Sequence, residues 1–279
     1  MKRVVLTAVL LWATVVGAKE ARGVFSEDEK EPQTMVGAAW DSQYIWRGFD
    51  VFGGNSAAQV LADMALWHTG FGVSAVGHQS LSESFGVLQR WDGTFYYQSG
   101  LFPGEPLATN FRLGYVYYYY PKTNQGRTQD LMEGHAILSW PNVLPLKGLQ
   151  PSYAFAYMWP GATNPWAEFE NPDFKHNATG MFHIAMLDYA FTVPTIIPGM
   201  DGQVLKLHSE LVYNSGVSPF GTQVNSGFSD AVLGASTDFA FGAGRNIILT
   251  PAVYYQFSLE KTVNPDNELW VSVSLKYAF

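Results

Sequence analysis

The chain has 279 residues, of which 24 are acidic and 16 basic, and it contains no cysteine. The lack of cysteine excludes a disulfide framework and thiolate metal ligands, and the acidic balance argues against a nucleic-acid partner, which would require a basic face. No segment approaches 18 uninterrupted apolar residues, so a helical membrane protein is excluded as well.

The N-terminus has the pattern of a secretory signal peptide. Lys2 and Arg3 form a positive region, an apolar run follows, and small residues precede a cleavage site after Ala18. Removing residues 1–18 takes away those two cations, leaving 14 basic against 24 acidic residues, a formal charge of −10. Residues 19–33 are polar and without period, which predicts a flexible periplasmic tether, and residues 34–279 are predicted to form one domain.

Twelve strand-like runs of alternating apolar and polar residues follow the tether. An even number of antiparallel strands is typical of bacterial outer-membrane barrels, whose chains begin and end on the periplasmic side. The predicted strands are 34–48, 56–68, 71–79, 90–99, 108–120, 130–140, 149–159, 178–191, 203–213, 228–239, 246–258 and 267–279.

The connections between these runs alternate in length and polarity. Segments such as 69–70, 101–107 and 241–245 are short, whereas 160–177 and 214–227 are longer and more polar. The turns at 141–148 and 192–202 blur the contrast. The alternation favours short periplasmic turns and longer external loops.

Aromatic residues concentrate at both ends of the predicted strands, around an aliphatic middle. Only 14% of residues are charged while 15% are aromatic, and two aromatic rims are what membrane interfaces select. A soluble sandwich has no reason for this distribution, so we predict an all-β transmembrane barrel. The outer rim is predicted to contain Trp46, Trp91, Tyr117, Tyr119, Trp159, Tyr213, Tyr255, Phe257 and Trp270. The inner rim is predicted to contain Trp67, Tyr97, Trp140, Tyr189, Phe191, Phe239, Tyr277 and Phe279.

The polar rows of the strands are predicted to face a lumen. They carry charges of both signs, which indicate either structural ion pairs across the interior or a charged constriction that selects permeants. Strand 178–191 alternates poorly, so its faces are left unassigned. The lumen candidates are Asp41, Arg47, Asp63, Asp92, Arg112, Glu133, His135, Lys206, His208, Glu210, Asp230, Asp238, Glu268 and Lys276.

The two ends of the chain carry a family resemblance. The run Ser42-x-Tyr44-x-Trp46-Arg47-Gly48, with the terminal Tyr277 and Phe279, resembles an uncharacterised family of bacterial putative outer-membrane proteins. The resemblance implies an outer-membrane barrel and no settled activity. By resemblance to outer-membrane proteins generally, Tyr277 and Phe279 also look like the signal read by the barrel-assembly machinery.

No catalytic motif emerges from the sequence. His208 and Ser209 are adjacent on a strand and therefore point to opposite faces, which prevents their acting as base and nucleophile. The external acids Glu168, Glu170 and Asp173 lack the spacing of a cation loop. No cofactor, metal site or catalytic residue is therefore predicted.

The sequence predicts a narrow outer-membrane channel for small polar solutes or ions, in contact with outer-membrane lipid and lipopolysaccharide. The alternatives are a closed structural or surface-binding barrel and, less favoured, a membrane-embedded acyl hydrolase. The sequence leaves the oligomeric state open.

Overall fold

A computed structural model describes residues 33–82, 89–121, 130–161, 178–194, 203–220, 222–242 and 246–279. The predicted signal peptide at 1–18 and the tether up to residue 32 lie outside this part of the chain, while Gln33 already belongs to the first strand. No helix of the described part is long and apolar enough to cross a membrane.

In the described part of the chain, the regular secondary structure consists of β-strands, whose side chains alternate between the inside and the outside of the wall. All predicted runs after the first appear as strands with ends shifted by three residues or fewer, the tenth interrupted at Asp238. The elements are β1 (Gln33–Asp41), β2 (Ile45–Trp46), β3 (Phe49–Asp50), β4 (Ala57–Ala65), β5 (Phe71–Ser80), β6 (Gln89–Leu101), β7 (Thr109–Tyr119), β8 (Leu131–Ser139), β9 (Leu149–Pro160), β10 (Gly180–Val193), β11 (Gln203–Ser215), β12 (Ser226–Thr237), β13 (Phe239–Phe241), β14 (Ile247–Ser258) and β15 (Glu268–Ala278).

Twelve antiparallel strands close into a barrel, as the sequence predicts. Each wall strand pairs with its neighbours in the chain, and β12 and β13 together serve as one strand against β14. Closure is made by β1 and β15, whose register runs from Met35 opposite Ala278 to Asp41 opposite Ser272. We call the end that holds the start of β1 and the end of β15 the inner end, and the opposite end the outer end.

The first predicted strand is wrong in its second half. It was predicted to continue to residue 48, but β1 ends at Asp41 and the chain then turns into the barrel, where β2 and β3 form a small hairpin. We call residues 42–56 the inward segment. Arg47 and Gly48 both have positive φ angles, 50° and 90°, which fold the hairpin tightly.

The two faces of the wall meet different surroundings. Many outward residues at mid-strand are aliphatic and exposed, for example Val60, Val73, Leu113, Leu233 and Val273. An exposed apolar belt of this kind belongs against lipid, since water would disfavour it.

Strand β10 alternates poorly because its inward row is apolar. Its inward residues Phe182, Ile184 and Met186 are as apolar as its outward Met181 and Leu187, yet they are buried. They belong to the apolar cluster that includes Trp46 and Phe49 of the inward segment. Because a protein surface covers them instead of water, the inward row of β10 need not be polar.

Candidate functional site in the barrel lumen

The lumen contains the charged residues that alternation assigned to it. Most of them are buried inside the wall, and Glu210 and Asp238 are partly exposed within it. Arg47 reaches the lumen from the inward segment and not from a strand. Glu268 lies at the outer end, where its carboxylate accepts a hydrogen bond of 2.7 Å from Gln43 Nε2.

The inward segment crosses the lumen from one wall to the other. On one side, the rings of Trp46 and Tyr118 of β7 pack with centroids 5.6 Å apart. On the other side, the carbonyl oxygen of Gly48 accepts a hydrogen bond of 3.0 Å from Gln256 Nε2 of β14. The segment therefore narrows the barrel at this level.

The position of Trp46 corrects the predicted outer aromatic rim. Trp46 is only 3% exposed and belongs to the buried apolar cluster inside the barrel. The rim prediction for Trp46 depends on a strand that continues to residue 48, whereas β1 ends at Asp41. Once the chain turns at Asp41, the ring is carried into the lumen instead of the lipid interface.

Arg47 and Glu133 form the central ion pair of the lumen. Arg47 Nη1 donates to Glu133 Oε2 at 2.7 Å, Nη2 donates to Oε1 at 3.0 Å, and neither side chain is exposed. Glu133 also accepts a hydrogen bond of 2.9 Å from the Tyr118 hydroxyl and lies 3.2 Å from His135 Nδ1. Such a buried bidentate pair fixes the inward segment to β8, because breaking it would leave an uncompensated charge.

A second ion cluster contains Arg90, which is not among the residues predicted to face the lumen. Arg90 Nη2 donates to Asp92 Oδ2 at 2.8 Å and to the Tyr44 hydroxyl at 2.7 Å, and Asp92 also contacts His78 at 3.0 Å. The guanidinium lies 4.8 Å from the ring centre of Trp46. Arg90 is the first residue of the predicted strand 90–99. The alternation that places Asp92 in the lumen also places Arg90 there.

A further pair lies toward the inner end on the same wall. Arg112 lies 3.7 Å from Asp63 and only 3.4 Å from the ring centre of Tyr96, whose hydroxyl donates to Asp63 at 3.0 Å. The wall of β4 to β8 thus matches three carboxylates with three guanidinium groups, one of them supplied by the inward segment. We call it the arginine wall.

The wall formed by β1, β10 to β12, β14 and β15 is richer in carboxylates. His208 Nδ1 lies 2.6 Å from Asp188 and its Nε2 lies 3.7 Å from Glu210. Lys206 Nζ donates to Asp238 at 2.6 Å, and Lys276 lies in the same row of β15 as Ser274. We call this side the acidic wall.

Two more carboxylates of the acidic wall lie near the inward segment. Asp41 accepts a hydrogen bond from Gln59 Nε2. Asp230 Oδ1 accepts one of 2.7 Å from Ser229, while its Oδ2 is buried without a hydrogen-bond partner among the described residues.

Loops at the outer end cover the inward segment. The rings of Phe49 and Phe220 lie 5.8 Å apart, and Val263 lies against Gly48. Glu260 and Asn225 join the two loops through a hydrogen bond of 3.3 Å. Hydrogen bonds from the backbone and side chain of Thr262 hold the pKa of Glu260 below its ordinary value.

The aromatic residues of the two predicted rims, other than Trp46 and Trp270, lie on the outer surface of the wall near its ends. Those exposed are Trp67, Trp91, Tyr117, Tyr119, Tyr277 and Phe279, and those half-buried are Trp140, Trp159, Tyr189, Tyr213 and Tyr255. Trp270 instead occupies the inward row of β15, where its ring lies 5.2 Å from that of Tyr254.

The histidine and serine residues considered for catalysis lie apart. His208 faces the lumen beside Asp188, whereas Ser209 faces outward and donates to the carbonyl of Leu187 at 3.2 Å. His183, on the outward face of β10, is 2.6 Å from the hydroxyl of Tyr153. Within the described part, no group of three or more His, Cys, Asp or Glu side chains is placed to hold a metal ion. The external acids Glu168, Glu170 and Asp173 lie outside the described residues.

Comparison of the sequence with protein-family models and with curated proteins finds no match, so the resemblance of the Ser42–Gly48 segment stays a prediction.

Comparison of the fold finds outer-membrane barrels. A KdgM porin superimposes with a TM-score of 0.50 and 10% identity, over 88% of this chain and 99% of the porin. LpxR from Salmonella typhimurium gives 0.48 and 8%, over 88% and 100% of the two chains. A NanC porin gives 0.47 and 9%, over 88% and 98%. At these identities the likeness concerns the fold, which is that of an outer-membrane β-barrel.

Proposed function

We propose that this barrel is a narrow outer-membrane channel for small polar solutes or ions, with the inward segment as its constriction. The observation that carries the proposal is the charged lumen, which extends from Lys276 near the inner end to Glu133 beside the inward segment. Toward the inner end the lumen admits water, since the side chains of Asp188 and Asp238 are 23% and 15% exposed.

The proposal includes the cellular setting. After removal of the signal peptide, the exposed apolar belt contacts outer-membrane lipid and the outer end contacts lipopolysaccharide. The barrel-assembly machinery inserts the chain. We assign it no enzymatic activity and rank an acyl hydrolase last, because His208 and Ser209 face opposite sides of the wall.

Single-channel recording tests the channel directly. The purified protein, folded as judged by heat-modifiable gel mobility, is inserted into planar bilayers in potassium chloride. Small discrete current steps are expected, because the inward segment narrows the lumen where it crosses from β7 to β14. A folded barrel that carries no current at any voltage would contradict the proposal.

A shortened variant tests the role of the inward segment. Asp41 and Ala57 are register partners on β1 and β4, so a two-residue Asn-Gly turn can replace residues 43–55 without disturbing the wall. Removing the segment is expected to raise the conductance several-fold, because pore conductance grows with the open cross-section. Unchanged conductance in the shortened, folded barrel would show that the segment does not limit passage.

A closed barrel with a structural or surface-binding role is the second candidate. Its support is the complete burial of Arg47 and Glu133, which leaves no water-filled gap around that pair. The shortened variant separates the two functions. Current from the shortened barrel together with none from the intact one would favour the closed barrel.

A further inference from the structure

The lumen is divided into a charge-balanced side and an acidic side. On the arginine wall, Asp63, Asp92 and Glu133 lie within 3.7 Å of Arg112, Arg90 and Arg47, one guanidinium for each carboxylate. The acidic wall carries two lysines, Lys206 and Lys276. Its carboxylates are Asp41, Asp188, Glu210, Asp230, Asp238 and Glu268. These six outnumber the two lysines even when His208 is protonated.

The acidic wall also includes small side chains on its inward rows. The inward row of β12 has Gly234 between His208 of β11 and Tyr254 of β14 in the register. On β15 the inward row includes Ser272 and Ser274. Small side chains therefore contribute to this wall, whereas the arginine wall buries the large side chains of Arg90, Tyr96 and Tyr118.

The residue of the inward segment that contacts the acidic wall is Gly48, which has no side chain. Its bulky Trp46 and Arg47 pack against β7 and β8, while Gly48 faces β12 and β14. A Cβ at Gly48 would lie 2.5 Å from Asp230 Oδ1, so the backbone approaches the carboxylate closely. The constriction on this side is therefore bounded by Gly48 and Asp230.

Oxygen atoms without hydrogen-bond partners lie along the same wall. They are Asp230 Oδ2, Gln256 Oε1 and the hydroxyl of Tyr254, all buried and unmatched among the residues that the structure describes. Buried oxygens that lack a donor point to a positively charged or donating occupant, and carboxylate, amide and hydroxyl oxygens are the ligands of hard cations.

We propose that the acidic wall forms a cation pathway, so that the channel conducts small hard cations in preference to anions. Permeant cations would exchange their hydration for the oxygens of Asp188, Glu210, Tyr254, Gln256 and Asp230 in turn. The surplus carboxylates attract cations into the lumen and repel anions from it. This inference rests on the proposed channel function.

Reversal potentials across a potassium chloride gradient test the inference. The unmodified channel is expected to show a permeability ratio of potassium to chloride well above one. Asp188 and Glu210 are suitable for substitution because both side chains are partly exposed within the lumen. The variant D188N/E210Q removes two carboxylate charges and is expected to lower the ratio by at least about fivefold, which is the effect of one such charge at about 4 Å in water.

Two further variants control this experiment. D266N/E105Q removes the same formal charge from exposed positions outside the lumen and is expected to leave the ratio unchanged. Lys206→Gln removes a cation from the acidic wall and is expected to raise the ratio, which provides a second reading if D188N/E210Q fails to fold.

The possible outcomes separate the inference from the channel itself. Absence of current from the folded protein overturns the channel and the cation pathway together. Current with a ratio of one or below overturns the cation pathway and leaves the channel standing. A high ratio that D188N/E210Q and Lys206→Gln do not change shows that another part of the lumen selects the ion, and also overturns the inference.

Discussion

Gly48 is the point at which the inward segment touches the acidic wall. Its φ of 90° lies in the left-handed region that favours glycine, and its backbone carbonyl binds Gln256. The absent side chain matters as well, because a Cβ would meet Asp230 at 2.5 Å and Val263 at 3.0 Å. Two separate constraints, one conformational and one steric, therefore select glycine here.

Substitution of Gly48 by alanine is expected to destabilise the folded barrel by more than the strain of its φ. That strain costs about 1–2 kcal/mol for an L-residue, and the clash with Asp230 adds to it. Gly54→Ala is the matched control, because Gly54 has a φ of 75° and open space around its Cβ position. Urea unfolding in detergent, followed by tryptophan fluorescence, compares the two. Equal losses of stability would show that the Asp230 contact is not limiting.

The Arg47–Glu133 pair is expected to respond asymmetrically to substitution. Glu133→Gln leaves a buried guanidinium without its counter-ion, and the free energy of unfolding should fall by about 3–5 kcal/mol. The double variant R47M/E133Q removes both charges and should recover much of that loss. The exposed substitution Glu105→Gln is the control and should change stability by less than about 0.5 kcal/mol. A double variant no more stable than Glu133→Gln would contradict this account. All four proteins are compared by urea unfolding.

At the scale of the elements, period-two alternation was sufficient wherever a strand has lipid on one face and a polar lumen on the other. It placed the ends of β14 and β15 within one residue. It failed at the inward segment, since Tyr44, Trp46 and Arg47 continue the alternation of β1 after the backbone has left the wall. It also failed on β10, where Phe182, Ile184 and Met186 pack against that segment. Both failures have one cause. A period of two shows that a residue has apolar or polar surroundings, but it does not show whether apolar surroundings are protein or lipid.

A further prediction concerns Phe279, the residue that follows β15. Phe279 closes the barrel through two backbone hydrogen bonds, donating to the carbonyl of Thr34 at 3.0 Å and accepting from its amide at 3.2 Å. Deleting Phe279 removes both bonds and the terminal ring, whereas Phe279→Ala removes the ring alone. If the ring is the assembly signal, both variants should reduce the heat-modifiable protein recovered from outer membranes.

Refolding in detergent distinguishes an assembly signal from a loss of stability. Phe279→Ala is expected to refold normally without the assembly machinery, since its backbone bonds remain. Phe241→Ala removes another exposed ring near the inner end and should assemble like the unmodified chain. Normal membrane insertion of both Phe279 variants would contradict a signal at this residue.

At the scale of the whole molecule, the fold could be predicted from alternation, strand number and aromatic placement because lipid and lumen impose them on every strand. The internal arrangement of the lumen could not. The pairing of Arg47 with Glu133 joins residues 86 positions apart. It depends on a turn at Asp41 that the alternation of apolar and polar residues does not predict. The sequence therefore identified most of the charges inside the barrel without showing that they divide into a balanced and an acidic wall.

The last prediction concerns the outer surface of the barrel and whether it is in contact with lipid or with water. Leu233, in the middle of the β12–β13 strand, and Leu101, at the inner end of β6, are 52% and 48% exposed on the outside. Arginine at the bilayer midplane destabilises a barrel by about 2–4 kcal/mol, and near the interface by about 0–1 kcal/mol. In phospholipid vesicles, Leu233→Arg should therefore unfold at much lower denaturant concentration than Leu101→Arg, although the two substitutions are chemically identical. A wall exposed to water would show no such difference, because an exposed leucine replaced by arginine at the surface costs little at any height. Equal unfolding midpoints would thus contradict the membrane placement of the whole barrel.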